Sequence, residues 1–248
     1  MEVLFEYTKG MRDTLSTYCP GCTHGIAHRL IMEAIDEMGA LGRTIGVSPV
    51  GCSIVAHQYM NVDMVESAHG RAPALASGIR RVHPNHIVFT YQGDGDLASI
   101  GVAEIVHAAH RGEKFCTFFI NNAVYGMTGG QMAPTSILGQ KTTTSVDGRK
   151  KEVHGRPLRM SEIIATIDGA VYVERVSLHS PAAVRRAKKA IKHALEIQEK
   201  GLGFAFVEIL STCPTNWGVT PVKSLDWIRD NLIPYYPLGV LKDVKEGD

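Results

Sequence analysis

The stretch "HIVFTYQGDGD" (86–96) decides the fold. His86 to Tyr91 form a short apolar, β-branched and aromatic run, which reads as a buried strand. The run passes straight into Gln92-Gly93-Asp94-Gly95-Asp96, and the residues from about Leu97 to Ala109 predict a helix. "FCTFFI" (115–120) is the next strand and ends at "NNAVYG" (121–126). Working outward, "RTIGV" (43–47), "AVYVERV" (170–176) and "FAFVEIL" (204–210) read the same way. Continuous apolar strands separated by helices predict an α/β fold, a mostly parallel sheet with helices on both faces.

Two of those helices are legible in detail. Thr23 stands where a cap belongs, and Ile26, Leu30, Ile31, Ala34, Ile35 and Met38 fall on one face before Gly39. Ser180-Pro181 opens a second helix. Its apolar side is Val184, Ala187, Ile191 and Leu195, opposite Arg185, Arg186, Lys188, Lys189 and Lys192. The polar stretch "LGQKTTTSVDGRKKEVHGRPLR" (138–159) has no periodicity and reads as a loop. No repeat or linker divides the chain. We therefore expect residues 1–248 to form a single domain with a long loop at about 135–160.

The chain has 248 residues, 44% hydrophobic, and a formal net charge of +1. That balance gives no electrostatic pull toward nucleic acid or an anionic membrane. No run approaches the roughly 18 apolar residues of a spanning helix. The start, "MEVLFEYTKGMRD", lacks the basic and apolar segments of a secretory signal. These features lead us to expect a cytoplasmic protein with reduced thiols. Its five cysteines then point to metal or catalysis rather than disulfides.

Ligands of parallel sheets bind beyond the carboxyl ends of the strands. Asp94 offers a carboxylate there, Asn122 an amide oxygen, and Val124 a backbone carbonyl. Such hard oxygen ligands, with positions left over for phosphate, suit Mg²⁺. Gly93 and Gly95 let the backbone approach a diphosphate, and a helix start at Leu97 helps neutralise it. Taken singly, each motif could be only a strand-end turn. Together, with 25 residues between Gly95 and Asn121, they resemble the thiamine diphosphate motif.

The wider context resembles the β-subunit of 2-oxoacid:ferredoxin oxidoreductases. "CPGC" (19–22), "VGCS" (50–53), "HGRA" (69–72), "GDGD" (93–96), "NNAVYGMTGGQ" (121–131) and "TCPTN" (212–216) follow in that family's order. The resemblance implies a thiamine diphosphate-binding fold, with Val50, Gly51, Cys52, Ser53 and His69 lining the thiamine. Gly95 and Asp96 would meet the diphosphate, with Gly126 and Met127 beyond. His69 would contact the cofactor, with a catalytic role in view. The resemblance also implies a [4Fe–4S] cluster on Cys19, Cys22, Cys52 and Cys213. Four thiolates from three loops suit such a cube or a zinc ion, and spacing alone does not separate them. Chemistry favours the cluster, because thiamine makes the bound substrate electron-rich and zinc cannot accept electrons. A thioredoxin-like use of Cys19 and Cys22 would leave Cys52 and Cys213 unexplained. Cys116, inside its strand, reads as an inert core thiol.

The same resemblance implies partners. The glutamate that activates thiamine belongs to an α-subunit, and its motif is not recognisable here. Ferredoxin-like patterns are absent too, so γ and ferredoxin-like δ subunits, or ferredoxin itself, would take the electrons. Coenzyme A would take the acyl group. "GRKKEVHGR" (148–156) could meet its phosphates or a partner, or be a solvated loop. After the Gly-Cys-Ser loop stand Ile54 and Val55, with His57 as the nearest potential cation. That apolar wall resembles the branched-chain type, which acts on 2-oxoisovalerate. The alternatives are a 2-oxoglutarate or pyruvate type and a non-redox thiamine decarboxylase with structural zinc.

Overall fold

The structure, a computed structural model, describes residues 6–244. The reading of the N-terminal segment extends over residues 1–5, which lie outside the described residues. Among the described residues, seven strands form one sheet: β1 (Thr44–Ser48), β2 (Asp63–Glu66), β3 (Ile87–Gly93), β4 (Cys116–Asn121), β5 (Ala170–Ser177), β6 (Phe204–Leu210) and β7 (Gly239–Asp243). Their spatial order is β2-β1-β3-β4-β6-β5-β7, and all pairs are parallel except β5 with β7. The main helices are α1 (His24–Glu37), α2 (Ala72–Val82), α3 (Val102–His110), α4 (Lys151–His154), α5 (Met160–Ala165), α6 (Pro181–Glu199), α7 (Pro214–Trp217) and α8 (Pro221–Trp227).

Strand alternation sends side chains to two separate cores. Phe89, Tyr91 and Phe118 pack under α1 and α6, while Val88, Phe115, Phe119 and Phe206 pack under α2, α3 and α5. The five expected strands are all present, and Ser180 caps α6 by accepting from the Ala183 N–H at 3.2 Å. The order of strands reverses direction beside β1, so loops after β1 and β3 part to leave a crevice there.

Four expectations need correction or refinement. Thr23 precedes α1 but does not cap it. Its hydroxyl instead meets Ser211 Oγ at 2.7 Å and accepts from Thr212 N at 3.1 Å, tying α1 to the end of β6. The helix expected over 97–109 is present, but its first part is irregular. A π-type turn (Asp96–Ile100) comes first, and α3 begins at Val102. The HGRA loop packs against this point: Gly70 (φ +77°) sits so close that a Cβ on it would lie 2.8 Å from Gly101 N. Strands β2 and β7 were not foreseen, being short and half-exposed edges with little apolar signal.

The fourth point concerns the polar stretch 138–159, an irregular loop as expected apart from α4, which nevertheless turns some of its polar side chains inward. Gln140, Thr142, Ser145 and Arg149 are buried. The Arg149 guanidinium donates to the backbone carbonyls of Ala133, Pro134, Ser136, His154, Gly155 and Arg156. So this arginine of the basic stretch is spent on its own chain, as the internal scaffold of the loop.

A buried ionic network underlies the end of β4. Arg175 donates to Glu208 at 2.8 Å and to Glu162 at 2.5 Å, and Arg175 and Glu208 are each 1% exposed. Glu208 also accepts from Asn121 Nδ2 at 2.7 Å and from the Ser161 hydroxyl. Charges desolvated to this degree stay ionised only when fully paired, and losing one partner costs about 3–5 kcal/mol. Asn121 is thereby fixed next to Asn122.

Candidate functional site

A cleft opens over the carboxyl ends of β1, β3 and β4. Val50, Gly51, Cys52 and Ser53 reach it from the β1 loop, and His69 from the loop after β2. Asp94, Gly95 and Asp96 follow β3, while Asn122, Val124, Gly126 and Met127 follow β4. The residues expected around the thiamine, its diphosphate and Mg²⁺ therefore meet in one place. Gly95 has to be glycine here, because a Cβ would overlap the Tyr125 ring.

The oxygens at the base of this cleft face one another. Asn122 Oδ1 lies 3.2 Å from Asp94 Oδ1 and 2.7 Å from the Val124 carbonyl oxygen. Rotating the amide would turn both contacts into hydrogen bonds. The present orientation, however, lets Asn122 Oδ1 accept the Val124 N–H at 3.3 Å. Three converging oxygens with no proton between them are what a hard divalent cation requires, at about 2.0–2.1 Å from each for Mg²⁺. The donor set therefore fits the cation. Burial pushes the Asp94 carboxyl up to about 7, against hydrogen bonds from Thr135 and Gly95 that favour its charged form. A cation beside it would remove that penalty.

The backbone that delivers these oxygens is strained. Ala123 has φ +58°, a left-handed conformation that non-glycine residues seldom adopt. It is held from every side. Asn121 Oδ1 accepts its N–H at 3.1 Å, and its carbonyl accepts from Ser136 Oγ at 2.6 Å and Gln140 Nε2 at 2.7 Å. Thr135 Oγ1 donates to Asp94 Oδ2 at 2.5 Å. None of Thr135, Ser136, Gln140 or Arg149 carries a local sequence signal for this role.

The Asp96 side chain is engaged within the chain. It accepts from Gln92 Nε2 at 2.7 Å and Gly70 N at 2.6 Å, and pairs with His69 Nδ1. It positions His69 and the HGRA loop and leaves its backbone for any phosphate. His24, missed in the sequence, also lines the cleft. Its Nδ1 meets Tyr91 Oη at 2.6 Å, and its ring stacks on Tyr18 at 4.8 Å. Burial lowers it to about 4, so it is a neutral imidazole. Ile54 and Val55, expected as the substrate wall, lie in a 3₁₀ turn (Cys52–Gln58) and do not line the cleft. His57 turns back to the Ile54 carbonyl at 2.7 Å. The apolar side chains exposed at the cleft are Val50 (41%) and Met127 (51%).

Behind the cleft the thiols of Cys19, Cys22, Cys52 and Cys213 are in electrostatic reach of one another. Burial, then the neighbouring thiols Cys52, Cys213 and Cys19, push Cys22 up to about 12. Burial, then Cys213, Cys19 and Asp94, push Cys52 up to about 11. A Cβ on Gly126 would lie 3.3 Å from Cys52 Sγ and 3.6 Å from Cys213 Sγ, so these two sulfurs flank one point. Among the described residues, no three His, Cys, Asp or Glu groups close tightly enough to hold a single ion. A mononuclear zinc site needs four ligands at about 2.3 Å. Four thiols in electrostatic reach of one another are a donor set that fits a [4Fe–4S] cube or a tetrahedral zinc ion. Cys116 lies apart, wholly buried in β4, and burial holds its thiol protonated.

The cleft, its glycine-rich approach and its oxygen seat define a thiamine diphosphate-binding domain. The family described as "Thiamine pyrophosphate enzyme, C-terminal TPP binding domain" matches residues 49–209. Ketoisovalerate oxidoreductase subunit VorA of Methanothermobacter marburgensis is 53% identical over 240 residues, which make up 97% of this chain and 50% of that protein. The chain thus spans about half the length of such relatives. 2-Oxoglutarate synthase subunit KorB of Methanocaldococcus jannaschii is 36% identical, covering 93% of this chain and 82% of that one. The solved 2-oxoglutarate:ferredoxin oxidoreductase from Magnetococcus marinus, with 2-oxoglutarate, coenzyme A and succinyl-CoA bound, superposes with a TM-score of 0.81. It is 26% identical, and the match covers 95% of this chain and 84% of that one. The chain belongs to the thiamine diphosphate-binding subunits of the 2-oxoacid:ferredoxin oxidoreductases.

The Thr135–Asp94 bond carries a testable consequence. Thr135→Val keeps the buried shape and removes the donor that orients the carboxylate. We expect thiamine diphosphate with Mg²⁺ to bind about tenfold more weakly by calorimetry, the usual worth of a hydrogen bond to a charged group. Unchanged affinity would show that Asp94 needs no such support.

Proposed function

We propose that the chain is the catalytic part of a coenzyme A-acylating 2-oxoacid:ferredoxin oxidoreductase that decarboxylates a branched-chain 2-oxoacid. The observation that carries this reading is the oxygen seat of Asp94, Asn122 and Val124 next to the four cysteine thiols. A non-redox decarboxylase has no use for an electron-accepting cluster, the group that these thiols are read to hold. When bound, thiamine diphosphate supplies the carbon nucleophile and electron sink that decarboxylation requires.

This chain's residues have separable tasks. Asp94, Asn122 and the Val124 carbonyl would hold Mg²⁺, and the Gly95 and Asp96 backbone would meet the diphosphate. Val50 to Ser53, Gly126 and Met127 would enclose the ring end. His69, fixed by Asp96, would face the cofactor as a hydrogen-bond partner. Cys19, Cys22, Cys52 and Cys213 would hold one [4Fe–4S] cluster, and Cys52, shared by the cleft and the thiol group, keeps the electron path short. The activating glutamate, the onward electron carriers and ferredoxin would come from other polypeptides. That the relatives are named as subunits supports this division. Among the described residues, no helix is long and apolar enough to cross a membrane.

Anaerobic purification with iron, sulfide and thiamine analysis tests this reading. Wild-type chain should carry one cluster with broad absorbance near 400 nm that dithionite bleaches. Cys213→Ala should lose or degrade that spectrum, and Cys116→Ala should keep it. The reverse pattern would mean that the ligand set is wrong.

Substrate choice is tested on the complete complex. Val50 and Met127 present apolar surface, worth about 25 cal/mol per Å² buried against an aliphatic side chain, while the cleft lining offers no Lys or Arg for a distal carboxylate. We expect kcat/KM for 2-oxoisovalerate to exceed that for 2-oxoglutarate in a viologen-reduction assay. The opposite order would place specificity in a partner chain.

A further inference from the structure

Helix α7 is a single turn that starts directly after Cys213, and its side chains turn back over the site. Asn216 Nδ2 donates to Cys213 Sγ at 3.2 Å and to the Gly126 carbonyl at 2.9 Å. Trp217 Nε1 donates to the Asn122 carbonyl at 3.1 Å. Gly130 leaves room for this amide, since a Cβ there would come within 3.0 Å of Asn216 Oδ1. Both N–H bonds of one carboxamide are thus engaged, one by a sulfur and one by the loop that carries Gly126 and Met127. Among the described residues no other side chain donates a hydrogen bond to the sulfurs of Cys19, Cys22, Cys52 or Cys213.

We propose that Asn216 is a positioning residue that raises the reduction potential of the cluster held through Cys213, an inference that rests on the iron–sulfur reading above. Reduction adds one electron to the cluster and increases the negative charge on its ligand sulfurs. An N–H donor aimed at such a sulfur stabilises the reduced form more than the oxidised form, which shifts the potential upward. The second bond, to Gly126, prevents the amide from rotating away. It also makes the distance between Cys213 and the cofactor loop a fixed quantity. A merely structural asparagine would hold the loop without affecting the redox equilibrium.

The test uses the full chain, purified anaerobically, with the cluster potential measured by a dye-mediated titration followed by electron paramagnetic resonance. Asn216→Leu removes both donors at similar volume, and Asn216→Asp replaces the donor with a negative acceptor. Both should keep wild-type iron and sulfide content and titrate at a more negative midpoint potential. Thr215→Ala, at an exposed position on the same turn, should titrate as wild type. An unshifted potential in both Asn216 variants would overturn the proposal. So would loss of the cluster from both variants while Thr215→Ala retains it, because Asn216 would then serve assembly alone. A wild-type chain that binds no iron would overturn the cluster reading, and the inference with it.

Discussion

Asp94, Asn122 and Val124 aim oxygen atoms at one another across 2.7 and 3.2 Å. These contacts suit a cation between the oxygens or, with the Asn122 amide rotated, two hydrogen bonds, and the surrounding structure holds the three groups in place. Ala123 accepts a left-handed backbone so that the residues on either side can both face the seat. Asn121, Ser136 and Gln140 occupy its N–H and carbonyl, and Thr135 orients the carboxylate. Arg149 fixes the segment that supplies three of these side chains. Below, the Arg175–Glu208 pair fixes Asn121. Such buried polar groups lower stability unless every partner is present, so they mark a site where geometry outweighs economy of folding.

The same strand ends supply the second half of the proposed chemistry. Cys52 follows β1, Cys213 follows β6, and Cys19 and Cys22 precede α1, which Thr23 ties to the end of β6. The thiols are thus placed by the sheet rather than by a loop of their own. Cys52 belongs both to the cleft and to the thiol group, and Gly126 separates it from Cys213. No intervening layer would have to carry an electron from cofactor to cluster. His24, neutral and stacked on Tyr18, lines the cleft, and the Tyr18 hydroxyl donates to the Cys52 carbonyl at 2.8 Å.

What could be read in the sequence was local. The apolar runs of β1, β3, β4, β5 and β6 and the Gly-Asp-Gly and Asn-Asn turns after them declare themselves within a few residues, and the site residues follow directly from strand ends. What could not be read depended on contacts between distant segments. The π-type turn before Gly101 lies where Gly70, distant in sequence, packs against the helix. The stretch 138–159 looks solvated by composition, yet Arg149 turns it inward through bonds to six carbonyls that no periodicity encodes. Ile54 and Val55 seemed to form a substrate wall by proximity to Ser53, but a 3₁₀ turn carries them away and leaves Val50 and Met127 at the cleft. The bonds of the Asp96 carboxylate to Gln92, Gly70 and His69 likewise join segments that no local pattern connects.

The central claim is that the three oxygens form a cation seat that anchors thiamine diphosphate. Calorimetry on Asp94→Ala, with Mg²⁺ and thiamine diphosphate titrated together, tests it most directly. The account predicts no cofactor binding at concentrations that saturate the wild-type chain, because the diphosphate would lose its charge-balancing cation. Binding at wild-type stoichiometry and affinity would contradict it.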